Sequence, residues 1–149
     1  MDYEIGKPGR VVMVRLHDGD PIYSSIEDVA QKERIESAAV WIIGGVMNAT
    51  VVTGPKQQDV FPLETIDRHF EDAREIVGFG TIFTNSSGRP SLHMHAAIGK
   101  GETVITGCPR KGADCWLVDE VIMLEITGTH ARRMKSEKSG LELLSFSKP

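Results

Sequence analysis

Two histidines one residue apart, His93 and His95 in Leu92-His93-Met94-His95, carry the strongest chemical signal in this chain. Alternate side chains of a β-strand share a face, so in an extended segment the two imidazoles converge. Leu92 and Met94 then fill the opposite face. A converging pair could hold a metal ion, an anion or a substrate carbonyl, and neutral imidazole is the commonest protein ligand of transition metals. The plainer alternative is two histidines that decorate a strand.

Two imidazoles alone hold a metal poorly. Zinc sites are usually tetrahedral, with three protein ligands plus water when catalytic and four when structural. The best third donor is Cys108, in Val104-Ile105-Thr106-Gly107-Cys108-Pro109. Gly99-Lys100-Gly101 reads as a hairpin turn, and a turn centred at residue 100 sets Cys108 opposite residues 92 to 94. Gly107 is expected to leave space for a ligand, and a thiolate suits zinc. Read structurally, Cys108 is a small buried apolar side chain. Cys115 and Glu120 are weaker candidates for a further ligand, and water can also complete the shell. Arg89, just before the histidine strand, could pair with an anion. His17, His69 and His130 are isolated and read as structural or exposed.

Catalytic residues cannot be assigned. The single nucleophile pairing on offer is Cys108 with His93 or His95. Gly78-Phe79-Gly80 and Gly99-Lys100-Gly101 are fragments of glycine loops without a strand–loop–helix setting, and there is neither a Walker loop nor a Gly-x-Ser-x-Gly elbow.

The elements that must position these residues read mainly as strands. Arg10 to His17 alternates loosely and stops at Asp18-Gly19-Asp20-Pro21. Ser24 or Ser25 offers an N-cap, and Ile26, Val29, Ala30 and Ile35 place an amphipathic helix over Ser25 to Glu36. Ala38 to Met47 is an apolar run rich in β-branched residues, hence a buried central strand, with a bulge or close backbone approach at Gly44-Gly45. Further strands are expected at 49–53, 63–69, 75–83, 91–98, 103–107, 116–127, 131–134 and 141–146. This pattern describes an α+β fold, mostly antiparallel sheet with one main helix plus minor helical cover.

With 149 residues the chain suits a single domain over 1–149. Apolar residues make up 40% and charged residues 26%, ordinary values for a globular protein. No stretch approaches the roughly 20 apolar residues of a membrane span. Met1-Asp2-Tyr3-Glu4 lacks the basic and apolar regions of a signal peptide, so a cytoplasmic location is expected. Two cysteines seven residues apart do not suggest a disulfide in that setting. The net charge of −4 argues against direct nucleic-acid binding, which draws on Lys and Arg against phosphate. Arg132-Arg133-Lys135-Lys138 and Arg110-Lys111 read as solvated, charge-mixed surface.

At these residues the chain resembles the plants-and-prokaryotes-conserved (PPC) domain family, stand-alone prokaryotic type. The likeness includes Trp41-Ile-Ile-Gly-Gly-Val-Met-Asn-Ala-Thr50 and Glu75-Ile-Val-Gly-Phe-Gly80. It is most specific at Leu92-His93-Met94-His95, which matches the family's Leu-His-x-His motif. The family's Gly-Gly-His segment is represented here by Thr106-Gly107-Cys108, which exchanges an imidazole for a thiol. The resemblance implies a homotrimer and a divalent metal, most simply Zn2+, at His93, His95 and Cys108. It implies no settled activity. Ser87-Gly88-Arg89-Pro90 lacks the first arginine and the basic flanks of an AT-hook, the minor-groove element that accompanies this domain in plants. Three functions follow in order: metal binding, with or without hydrolytic or lyase chemistry; a non-catalytic trimeric module for protein partners; direct DNA binding.

Overall fold

The computed structural model describes residues 1–146, with all their side chains except that of Lys111. The chain runs β1 (Lys7–His17), α1 (Ile22–Glu33), β2 (Ser37–Met47), β3 (Ala49–Pro55), β4 (Thr65–Phe70), β5 (Arg74–Asn85) and β6 (Pro90–Lys100). It continues through β7 (Thr103–Lys111), β8 (Asp114–Thr127), β9 (Arg132–Lys135) and β10 (Glu142–Ser145). Eight strands lie side by side in the order β1-β8-β2-β5-β6-β7-β3-β4. All these pairs are antiparallel, and β9, itself paired with β10, adds a short parallel contact to β5. The mostly antiparallel α+β architecture expected from the sequence is the observed one.

Period-two alternation sets the two faces of the sheet. Val40, Ile42, Met94, Ala96, Val121 and Met123 are buried on the inner face. Helix α1 covers that face with Ile22, Ile26 and Ala30, spaced four apart so that they share one stripe. The helix starts three residues before the expected Ser25. Pro21 takes the N-cap position without a side-chain cap bond, which suits proline at a helix start. Neither Ser24 nor Ser25 caps it. The helix ends at Arg34, in the left-handed conformation at φ 57°, whose N–H closes back on Gln31.

The ladder between β6 and β7 is short. It runs from Lys100↔Thr103 to Ala96↔Gly107 and stops there. From Cys108 onward β7 pairs with β3, through Val52↔Cys108 and Val51↔Pro109. The strands therefore part like the arms of a fork. Gly107 is the crossing point. A Cβ on Gly107 would collide with the Val52 carbonyl oxygen. The missing side chain lets β7 approach β3, and the ligand space expected beside Gly107 is occupied by that backbone.

Candidate metal centre

The fork leaves one edge of β6 without a strand partner, and α1 supplies side chains in its place. Glu27 Oε1 accepts the Leu92 N–H at 2.8 Å, and the Tyr23 hydroxyl donates to the Met94 carbonyl at 3.5 Å. These contacts satisfy backbone groups that a neighbouring strand would otherwise have met. The start of β6 is thereby tied to α1, with His93 and His95 on the outer face of the sheet.

His93, His95 and Cys108 come together at the crotch of the fork. One ligand atom from each lies within 4.8 Å of the other two. The two imidazole rings meet edge to face, with centroids 5.2 Å apart and an interplanar angle of 78°. The pairing sets Ala96 opposite Gly107, so the turn is centred between residues 101 and 102. Extended by one residue, that register brings Cys108 level with His95, one to three residues beyond the expected 92 to 94. The convergence survives the shift because both arms of the fork start at that level.

Donor chemistry and spacing fit a divalent ion. Two imidazole nitrogens and one thiolate sulfur on a tetrahedral zinc lie about 3.3–3.6 Å apart, so side-chain movements of about 1 Å would close the group. Cys108 is buried while both histidine rings keep solvent contact, which is an accessible set of donors. Loss of surrounding water, reinforced by the charges of Arg133, His95 and Arg110, lowers the His93 pKa to about 4. At neutral pH its lone pair is free to coordinate.

The other sequence candidates lie elsewhere. Cys115 is fully buried beside Asp119, and Glu120 sits on β8 opposite Ile43 and Arg15, with β2 and β5 between it and β6. Arg89 belongs to the Asn85–Pro90 loop, on a separate surface cleft with Glu27 and Asp28. His69 contacts Thr50 and Glu71, and His130 is held by Glu4, so both are structural in kind.

Residues that the sequence reading passed over complete the site. A cavity of about 430 Å³ opens in the fork, lined by His93, Cys108, Tyr23, Arg110, Arg133 and Glu142 among others. While Lys135 and Lys138 are exposed as expected, Arg133 is 5% exposed, which takes it out of the solvated surface expected for its basic run. Its Nη2 donates to Thr81 Oγ1 at 2.8 Å and to the Thr81 carbonyl at 3.3 Å, and its guanidinium stands 5.5 Å from the Phe83 ring centre. Its Nε is buried without a hydrogen-bond partner among the described residues. Burial lowers the Arg133 pKa, with Glu142 and Cys108 opposing the shift. Burial likewise raises that of Tyr23, helped by Cys108. Burial alternates here: Ala131 and Arg133 are both buried at spacing two, with partly exposed Arg132 between them.

Comparison with known proteins agrees with this architecture. The family described as Plants and Prokaryotes Conserved (PCC) domain matches residues 3–127. A metal-containing protein from Archaeoglobus fulgidus superposes with a TM-score of 0.84 at 23% identity, over 97% of this chain and 99% of that one. A plant- and prokaryote-conserved (PPC) protein from Pyrococcus horikoshii superposes with a TM-score of 0.83 at 24% identity, over the full length of both. A candidate DNA-binding protein from Ralstonia eutropha gives 0.72 at 21% identity, over 91% and 90%. No curated protein matches the chain by sequence. These likenesses establish the fold, and the match over residues 3–127 establishes that the chain belongs to the Plants and Prokaryotes Conserved domain family.

Proposed function

We propose that this protein binds a divalent metal ion, zinc in the simplest case, through His93 and His95 imidazole nitrogen and the Cys108 thiolate. The observation that carries the reading is the approach of these three donors to within 4.8 Å on two strands that part at that point. The metal-containing relative from Archaeoglobus fulgidus, alike in fold, adds support. When bound, such an ion supplies Lewis acidity. The chain's own groups do the rest: β6 and β7 fix the donors, Glu27 and Tyr23 brace β6, and neutral His93 offers its lone pair.

The test is metal content of untagged protein by mass spectrometry, beside a His93→Ala/His95→Ala variant. One equivalent is expected in the wild type and none in the variant. Cobalt substitution should add a thiolate charge-transfer band that Cys108→Ser removes. Equal metal content in wild type and variant overturns the reading.

A second observation favours self-association, for which the family resemblance suggests a homotrimer. Cross-strand partners Met13, Ile122, Trp41, Phe79 and His95 form one row across the outer face. The four apolar members are all more than 40% exposed, with Trp41 edge-on to Phe79 at 5.5 Å. Apolar patches of this kind mark interaction surfaces. Copies of this chain packed there would lie against His95. Sedimentation should give three chains for the wild type and a lighter species for Phe79→Glu, and a monomeric wild type overturns this reading.

A further inference from the structure

We propose that the fork cavity binds a small organic carboxylate, clamped by Arg133 and Arg110 beside the metal site. The inference deepens the metal-binding reading and rests on it for part of the positive field, while the arginines stand independently of it.

Arg133 is the first reason. A guanidinium withdrawn from water is expensive unless a carboxylate or phosphate pairs with it. Among the described residues no carboxylate lies within ion-pairing distance of Arg133; its hydrogen bonds go to neutral Thr81 and its guanidinium stands over the face of Phe83. The Nε has no hydrogen-bond partner among the described residues. Structural arginines are normally neutralised, so one that is buried, without a salt bridge among the described residues and facing a cavity is suited to a ligand that brings a pairing charge, even with Glu142 acting on it from the same lining. Its planar fork of donors matches a carboxylate in two-point geometry.

The rest of the lining agrees. Arg110 faces the same space, and among the described lining residues Glu142 is the single acidic side chain, which leaves that lining net positive in a chain whose net charge is −4. A bound divalent ion adds to that field. One wall is apolar, built from Leu92, Leu141 and Leu143 with the Tyr23 ring. At about 430 Å³ the cavity falls within the range of small-molecule sites. A charged end with an apolar wall selects an amphiphilic acid over a bare inorganic anion.

Calorimetry with 3-phenylpropionate, its neutral analogue 3-phenylpropanol and inorganic phosphate separates the possibilities, on zinc-loaded and metal-free protein. Phenylpropionate should bind, and bind the loaded form more tightly. The alcohol and phosphate should bind at least about tenfold more weakly. Arg110→Met, at an exposed position, should weaken phenylpropionate about tenfold without changing the melting temperature, and Arg133→Met should abolish binding. Loss of the arginine dependence, or equal binding of the alcohol, overturns the proposal, as does phosphate binding more tightly than phenylpropionate. Protein that takes no zinc yet binds phenylpropionate through both arginines ends the metal reading and keeps this one. Protein that takes zinc and binds no carboxylate does the reverse.

Discussion

Two of the breaks in the sheet each hold one cysteine and one buried charged residue. At the fork, β6 and β7 part, and Cys108 stands with His93 and Arg133 around an open cavity, with His95 completing the donor group. At the other break the β2–β8 ladder slips between Gly44↔Asp119 and Val46↔Cys115, so that Trp116, Leu117 and Val118 bulge outward. There the backbone closes. A Cβ on Gly44, whose φ is 147°, would strike the Val118 carbonyl, and both Cys115 and Asp119 have 0% exposure. The same residue types thus meet opposite fates. Where strands diverge, side chains line a space that a ligand can enter; where glycines let backbones touch, the polar groups are sealed in.

Thiol chemistry should break the comparison open most widely. Burial, then the Asp119 charge, pushes the Cys115 thiol up to about 12, which leaves almost no thiolate at pH 8. Iodoacetamide on the folded, metal-free protein should label Cys108 at least about 100-fold faster than Cys115, read by peptide mass spectrometry. Zinc should protect Cys108 and leave Cys115 unaffected. Comparable labelling of the two thiols would mean that the bulge opens as readily as the fork.

The sealed site should instead reveal itself through stability. Both Asp119 carboxyl oxygens lack a hydrogen-bond partner among the described residues, although Cys115 and the Gly45 amide lie near enough to favour its charge somewhat. Burial dominates and raises its pKa from 3.8 to about 6. A carboxyl whose folded pKa is raised is neutral in both states below 3.8. Above that, ionisation favours the unfolded chain until pH passes 6. The stability of Asp119→Asn relative to wild type should therefore rise between pH 4 and 6, by about 2–3 kcal/mol, and level off above. Urea denaturation of both proteins at four or five pH values reads this difference. A flat difference would show that Asp119 keeps a compensating partner in solution.

The two breaks also differ in how far they could be read beforehand. Gly44-Gly45 inside an apolar run signals a bulge directly, because a glycine pair in a central strand is unfavourable unless a backbone comes close. The histidine pair was equally legible from its spacing. Cys108 was reached through hairpin symmetry, although Thr103 to Gly107 was expected as the whole strand and β7 continues to Lys111. What local sequence could not express was the change of partner from β6 to β3, since no residue near Cys108 records which strand lies beside it. The burial of Arg133 depended on that same long-range arrangement. Tyr23 and Glu27 belong to the first turns of a helix expected to begin at Ser25, which hid Tyr23 altogether.

Glu27 offers the finest test of why the fork stays open. Its Oε1 takes the Leu92 N–H that a continued β7 would have engaged, so it substitutes for a strand. Removing it in Glu27→Ala leaves that N–H to the nearby solvent. Loss of a hydrogen bond to a charged acceptor at a partly exposed position should cost about 1–2 kcal/mol. Glu27→Gln, which keeps an acceptor oxygen, should recover most of it. Hydrogen exchange at Leu92 should quicken in Glu27→Ala while exchange at Ile42, in the β2 centre, is unchanged. If both amides quicken together, the brace belongs to the stability of the whole sheet, and the fork's geometry is held by β3 capturing β7 at Gly107.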